Sequence, residues 1–87
     1  MVTAKLKRLR REHLVKLMLR YFTEPNLSFH LDRQSVFADY SPKEVRSMLY
    51  ALSLIGLIKN VNGIQTRGSV YQISPSGLEY LRIIEGN

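Results

Sequence analysis

The sequence predicts an α+β domain with a helical core and one small β-element, and three observations carry that expectation. Apolar residues recur at helical spacing over 3–22 and 41–55. Two flanks rich in β-branched residues, 57–64 and 69–74, enclose the polar Gln65-Thr66-Arg67-Gly68 in the manner of a hairpin. Two Ser-Pro pairs, Ser41-Pro42 and Ser74-Pro75, mark helix starts.

The central stretch is Ser41 to Ile58. Ser41 and Glu44 have the spacing of a capping box, in which each side chain satisfies a backbone N–H that the helix leaves without a partner. Pro42 suits the first turn, where its missing N–H costs nothing. Val45, Met48, Leu49, Leu52 and Ile55 make one face to be buried, and Gly56 is a natural stop. Lys43, Arg46, Ser47 and Tyr50 share the opposite stripe. An α-helix fits the major groove of DNA, and these side-chain types can reach base edges and phosphates there. An ordinary solvated helix face would look similar, so the neighbours must decide.

Thr3 to Phe22 reads as one long helix ended by Thr23-Glu24-Pro25-Asn26. Leu14, Leu17, Met18 and Tyr21 form a core stripe; Val15, Leu19 and Phe22 form a second stripe that needs another surface to pack on. Backwards from Leu14 the core stripe meets Arg10 and Lys7, so residues 1–11 are expected to overhang the domain as a basic helical arm. Leu6 and Leu9 on that arm could touch a partner chain. Leu27-Ser28-Phe29-His30 reads as a short edge strand. Asp32 is placed to cap a second helix, Arg33 to Ala38, with Val36 and Phe37 facing in. A turn at Asp39-Tyr40-Ser41 then leads into the central helix, as in helix-turn-helix geometry, with Arg33 and Gln34 near phosphates. The hairpin tip is expected near Gln65–Gly68, keeping Ile64 in a strand, although Asn62-Gly63 is itself a turn dipeptide. In the last helix Leu78 and Leu81 face in, while Tyr80, Ile83 and Ile84 leave apolar area for a dimer contact.

Length and composition narrow the function classes. Eighty-seven residues make one small domain, 1–87. There is no Cys, and only His13 and His30, so neither a disulfide framework nor a thiolate metal site is expected, and no metal or cofactor is assigned. No apolar run approaches a membrane span, and no secretory signal is evident. A soluble, cytoplasmic chain with no small-molecule substrate is expected. The formal net charge is +6. Residues 1–23 hold Lys5, Lys7, Arg8, Arg10, Arg11, Lys16 and Arg20 against Glu12 alone, and the remainder balances. Such asymmetry points to a polyanion, and Lys5, Lys7, Arg8, Arg10 and Arg11 suit salt-sensitive phosphate contacts. Arg67 at a polar tip could enter a minor groove or sit on a phosphate. No Walker loop, GxSxG, HExxH or GxGxxG is present, so an enzyme is not expected.

Taken in this order, the elements resemble the winged helix-turn-helix family: a three-helix core, a two- to three-stranded β-wing and a short C-terminal helix. The Val45, Leu49, Leu52, Gly56, Leu57, Ile58 spacing is similar to its recognition helix and exit. Val70-Tyr71-Gln72-Ile73-Ser74-Pro75-Ser76-Gly77-Leu78-Glu79-Tyr80-Leu81 resembles the second wing strand and last helix of PadR-like and MarR-like regulators. The resemblance covers roughly residues 12–84, and small cysteine-free members of this kind resemble those of archaea and their viruses and plasmids. It implies a recognition helix in the major groove with Ser41, Lys43, Arg46, Ser47 and Tyr50 as contacts, and a wing contributing Gln65, Thr66 and Arg67. The chain lacks the long C-terminal dimerisation helix of the PadR-like pattern. A homodimer would therefore draw on Leu6, Leu9, Val15, Leu19, Phe22, Tyr80, Ile83 and Ile84.

The expected function is that of a sequence-specific double-stranded DNA-binding regulator of transcription, intracellular and nucleoid-associated. The alternative is a protein–protein interaction module in a replication, transcription or partition assembly, to which Leu54 on the outward face lends support. Binding of RNA or single strands would need exposed stacking aromatics, and only Tyr50 is so placed in the sequence.

Overall fold

The computed structural model describes residues 2–86, leaving Met1 and Asn87 outside the described residues. Three helices pack together beside a three-stranded antiparallel sheet. They are α1 (Val2–Tyr21), α2 (Pro42–Leu54) and α3 (Pro75–Ile84), with strands β1 (Asn26–Leu27), β2 (Ile58–Asn60) and β3 (Val70–Ile73). The spatial order is β1-β3-β2, with Asn26 opposite Tyr71 and Ile58 opposite Ile73. β1 is thus the edge strand expected near Leu27, one residue earlier and shorter.

Between β1 and α2 the expected helix over 33–38 is replaced by two 3-10 turns, Leu31–Arg33 and Ser35–Phe37. Gln34 separates them in an extended conformation, φ −72 and ψ 138. Six residues, with Ser35, Val36 and Phe37 at their centre, are too few to offset the cost of nucleating an α-helix. Asp32 therefore caps nothing: it lies inside the first turn, which begins at a left-handed His30 without a side-chain cap bond. Phe37 is fully buried as expected, but Val36 is 43 % exposed.

Both Ser-Pro pairs start helices. Ser41 Oγ accepts the Glu44 N–H at 3.1 Å, and the Ser41 N–H donates to Glu44 Oε1 at 2.9 Å, completing the capping box. Ser74 Oγ accepts the Gly77 N–H at 3.0 Å and donates to the Gly56 carbonyl at 2.5 Å, so one hydroxyl caps α3 and ties it to the exit of α2. Gly56 takes the left-handed conformation, φ 83, that ends α2. Two residues expected inward point out. Ile55 lies at the C-cap beyond the packed face, and Leu78 sits on the open side of α3.

The core is Leu14, Met18 and Leu19 of α1, Phe22 just past its end, Leu31 and Phe37 of the turns, Tyr40 before α2, Val45 and Leu52 of α2, Ile58 and Ile73 of the sheet and Leu81 of α3. Leu19 and Phe22, expected at a dimer contact, are fully buried within the domain, and this is a correction. The surface for α1's second stripe comes from the chain itself. Phe22 meets the Tyr71 ring edge-on, and its carbonyl accepts the Ile73 N–H at 2.7 Å. Among the described residues no buried side-chain nitrogen or oxygen lacks a hydrogen-bond partner.

The β2–β3 connection is a loop, 61–69, rather than a continued ladder. Ile64 is out of any strand and 44 % exposed, contrary to expectation. Two asparagines shape the loop. Asn62 accepts the Ile64 and Val70 N–H groups and donates to the Gly68 carbonyl. Asn60 accepts the Gly63 N–H and donates to the Ile64 carbonyl. Gly63 supplies the positive φ of 73 that bends the backbone there.

Candidate nucleic-acid interface

α2 presents its polar stripe outward, as its periodicity requires. Lys43, Arg46 and Ser47 are exposed, and Tyr50 is 68 % exposed. Ser41 stands at the head of the stripe, with its hydroxyl already accepting the cap bond. Two grooves flank the stripe, and each brings in a separate part of the chain.

On one side α2 faces α1. Lys7, Arg11 and Leu14 of α1 line a groove with Lys43, Ser47 and Met48 of α2. Arg10, expected among the free cations of the arm, is instead engaged at this junction. Its guanidinium pairs with Glu44, with Nε to Oε2 at 2.9 Å and Nη2 to Oε1 at 3.0 Å. Nη2 also donates to the Asp39 carbonyl at 2.5 Å, and the guanidinium lies 4.4 Å from the centre of the Tyr40 ring. The Arg10 hydrogen bond, helped by the Ser41 N–H, holds the Glu44 carboxyl down at about 2. Burial pushes the Tyr40 phenol up, and the nearby Arg10 charge opposes that rise. The overhang accordingly ends before Arg10. Lys5, Lys7, Arg8 and Arg11 remain exposed, with Arg8 and Arg11 lining a third groove beside Tyr80 and Ile84 of α3.

On the other side α2 faces the β1-to-turn segment and the β2–β3 loop across a cleft of about 530 Å³. Phe29, Arg33, Arg46, Tyr50, Thr66 and Arg67 all line it. The Arg67 guanidinium stands 5.1 Å from the Phe29 ring centre. Arg46 Nη1 is 3.5 Å from Asp32 Oδ2, with the Arg46 side chain 63 % exposed. Gln65 is exposed at the loop tip. Phe29, 41 % exposed, is the residue sequence reasoning missed. Its alternation with Leu27 marked it as a strand residue; its place opposite Arg67 depends on the β1–β3 pairing.

No protein-family model matches this chain, and no match was found among curated proteins or solved structures. Among the described residues no three His, Asp or Glu side chains gather where a metal could bind, and no helix is long and apolar enough to cross a membrane. What the arrangement offers chemically is hydrogen-bond donors, fixed positive charge and aromatic faces, set along one helix and its two flanks.

Of the residues assigned to a partner copy, Leu6, Leu9, Tyr80 and Ile83 are exposed by 60, 49, 42 and 64 %. Val15 and Ile84 are half-buried against the core.

Proposed function

We propose that this chain is a winged-helix domain that binds double-stranded DNA sequence-specifically as a transcriptional regulator. α2 enters the major groove, the β2–β3 loop acts as the wing, and the arm lies along the backbone. One observation carries the reading: the outward stripe of α2 is flanked on one side by Lys7 and Arg11 and on the other by Arg67. A helix that reads bases needs cations on both sides of it, because the phosphates that fix its register run along both walls of the groove. The sheet order β1-β3-β2 and the loop between β2 and β3 are compatible with this layout.

In this reading Lys43, Arg46, Ser47 and Tyr50 face base edges, and Ser41, Gln65, Thr66 and Arg67 meet the backbone or minor groove. A homodimer brings two such helices to a two-fold site through the exposed leucines of the arm and Tyr80, Ile83 and Ile84 of α3. Selection from a random duplex pool at near-physiological salt tests both parts. A consensus with two-fold symmetry is the expected result, and Arg46→Ala should cost about 1–3 kcal/mol at one base position. Equal binding to the selected and the random duplex would overturn the reading.

A second reading, a protein–protein module, is favoured by Leu54 and Ile55, exposed by 70 and 66 % at the end of α2. A stoichiometric protein partner together with no duplex shift at low salt would support it.

A further inference from the structure

We infer that Asp32 positions Arg46 to read a guanine edge, so that the pair selects a G·C base pair at one place in the bound duplex. The inference rests on the DNA-binding reading above and deepens it.

Asp32 has a fixed anchor. The 3-10 turn that carries it is held by the buried Leu31 and by Arg33 and Gln34 N–H groups donating to the His30 and Leu31 carbonyls. Its side chain is only 19 % exposed, whereas that of Arg46 is 63 % exposed. The carboxylate therefore stays in place, and the flexible guanidinium is drawn to it through Nη1 at 3.5 Å. An arginine that must settle into one rotamer to read a base loses side-chain entropy, and a neighbouring carboxylate reduces that loss before DNA arrives.

The same carboxylate decides what Arg46 can touch. A phosphate seated on Arg46 would lie against Asp32, and like charges in a cleft are poorly screened. Arg33 and Arg67 line the same cleft with no acid paired to either among the described residues, so phosphates have better sites close by. Arg46 is left for a neutral acceptor. In the major groove guanine presents two, O6 and N7, matched to the guanidinium fork, whereas adenine replaces one of them with a donor.

The test compares wild type, Asp32→Asn, Arg46→Ala and the double variant. Each is titrated at fixed salt with the selected duplex and with copies changed one base pair at a time. Wild type should favour G·C over A·T at one position by about tenfold or more. Arg46→Ala should erase that ratio. Asp32→Asn should reduce it at that position alone, leave binding to random duplex unchanged or tighter, and add nothing on the Arg46→Ala background. Asp32→Glu, which keeps the charge, should retain most of the ratio, and Asp32→Ser, with the same expected loss, takes the place of Asp32→Asn if that variant loses its cooperative melt. A guanine preference unmoved by Asp32→Asn, or a loss spread equally over all positions, overturns the positioning role while leaving the DNA-binding reading standing. A wild type without any preference for the selected site overturns both.

Discussion

Arg10 and Glu44, 34 residues apart in the chain, meet in a two-pronged ion pair, and the same carboxylate closes the capping box of α2. One acid thus ends the orphan state of a helix N-terminus and anchors the base of the arm to that helix. The pair fixes how the N-terminal part of α1 meets α2 and its outward stripe.

The joint has a pH signature. Glu44 is held at about 2, below the ordinary carboxylate value of 4.5. A depressed carboxyl contributes its stabilisation fully above its unfolded value and loses it as pH falls through the folded one. The window is therefore from 4.5 down to about 2. Arg10→Met should bring the Glu44 carboxyl back towards its ordinary value. It should lower Tm at neutral pH and flatten the fall of Tm across that window, as read by thermal melts in steps of pH. Both side chains are well exposed to water, so the differences should be modest.

Gly77 and Gly56 should respond very differently to alanine. A Cβ on Gly77 would stand 2.0 Å from the Leu57 carbonyl oxygen, which is backbone and cannot swing aside. Gly77→Ala should cost at least about 3 kcal/mol, because α3 must lift off the α2 exit. A Cβ on Gly56 meets nothing within 4 Å, and only its φ of 83 is unfavourable. Gly56→Ala should cost about 1–2 kcal/mol. Urea melts on the two variants give the comparison.

Phe37 fills the centre of the core from the second 3-10 turn, with its ring edge-on to Tyr21 at 5.5 Å. Phe37→Ala should cost about 3–5 kcal/mol, a large part of the stability of a domain this small. Loss of the cooperative transition in chemical denaturation would be the visible outcome. An effect below about 1 kcal/mol would mean that the turn packs elsewhere.

Replacing Lys5, Lys7, Arg8 and Arg11 by alanine should weaken binding to all duplexes alike. For every phosphate that is no longer neutralised, the slope of log K against log salt should become shallower by about 0.9. Arg67→Ala should act in the same sequence-independent way. A change in the selected consensus from either set would contradict their assignment to the backbone.

Much of this molecule was legible locally. Ser41, Glu44, Pro42, Gly56 and Ser74 announce helix ends because capping involves residues only three or four apart. The buried face of α2 is readable at Val45 and Leu52, but periodicity does not say where a neighbouring surface stops, and so Ile55 and Leu78 read as inward although they are exposed. The two 3-10 turns were hidden because a short amphipathic run looks the same whether or not Gln34 breaks it. Leu19 and Phe22 look like a spare apolar face because what covers them is remote in the chain; for Phe22 it is β3, some fifty residues on, at Tyr71 and Ile73. At the candidate interface the stripe on α2 followed from spacing. The pairings Arg10–Glu44, Asp32–Arg46 and Phe29–Arg67 join residues far apart in the chain, and no local signal announces them.

The loop between β2 and β3 keeps its shape through Asn60, Asn62 and Gly63, while the exposed side chains of Gln65, Thr66 and Arg67 take no part in that hydrogen-bonded scaffold, Arg67 turning instead to the Phe29 ring. Shape and surface chemistry are therefore encoded by separate residues. Substitutions at 65–67 should therefore alter what the loop presents while the asparagine-held backbone keeps its course.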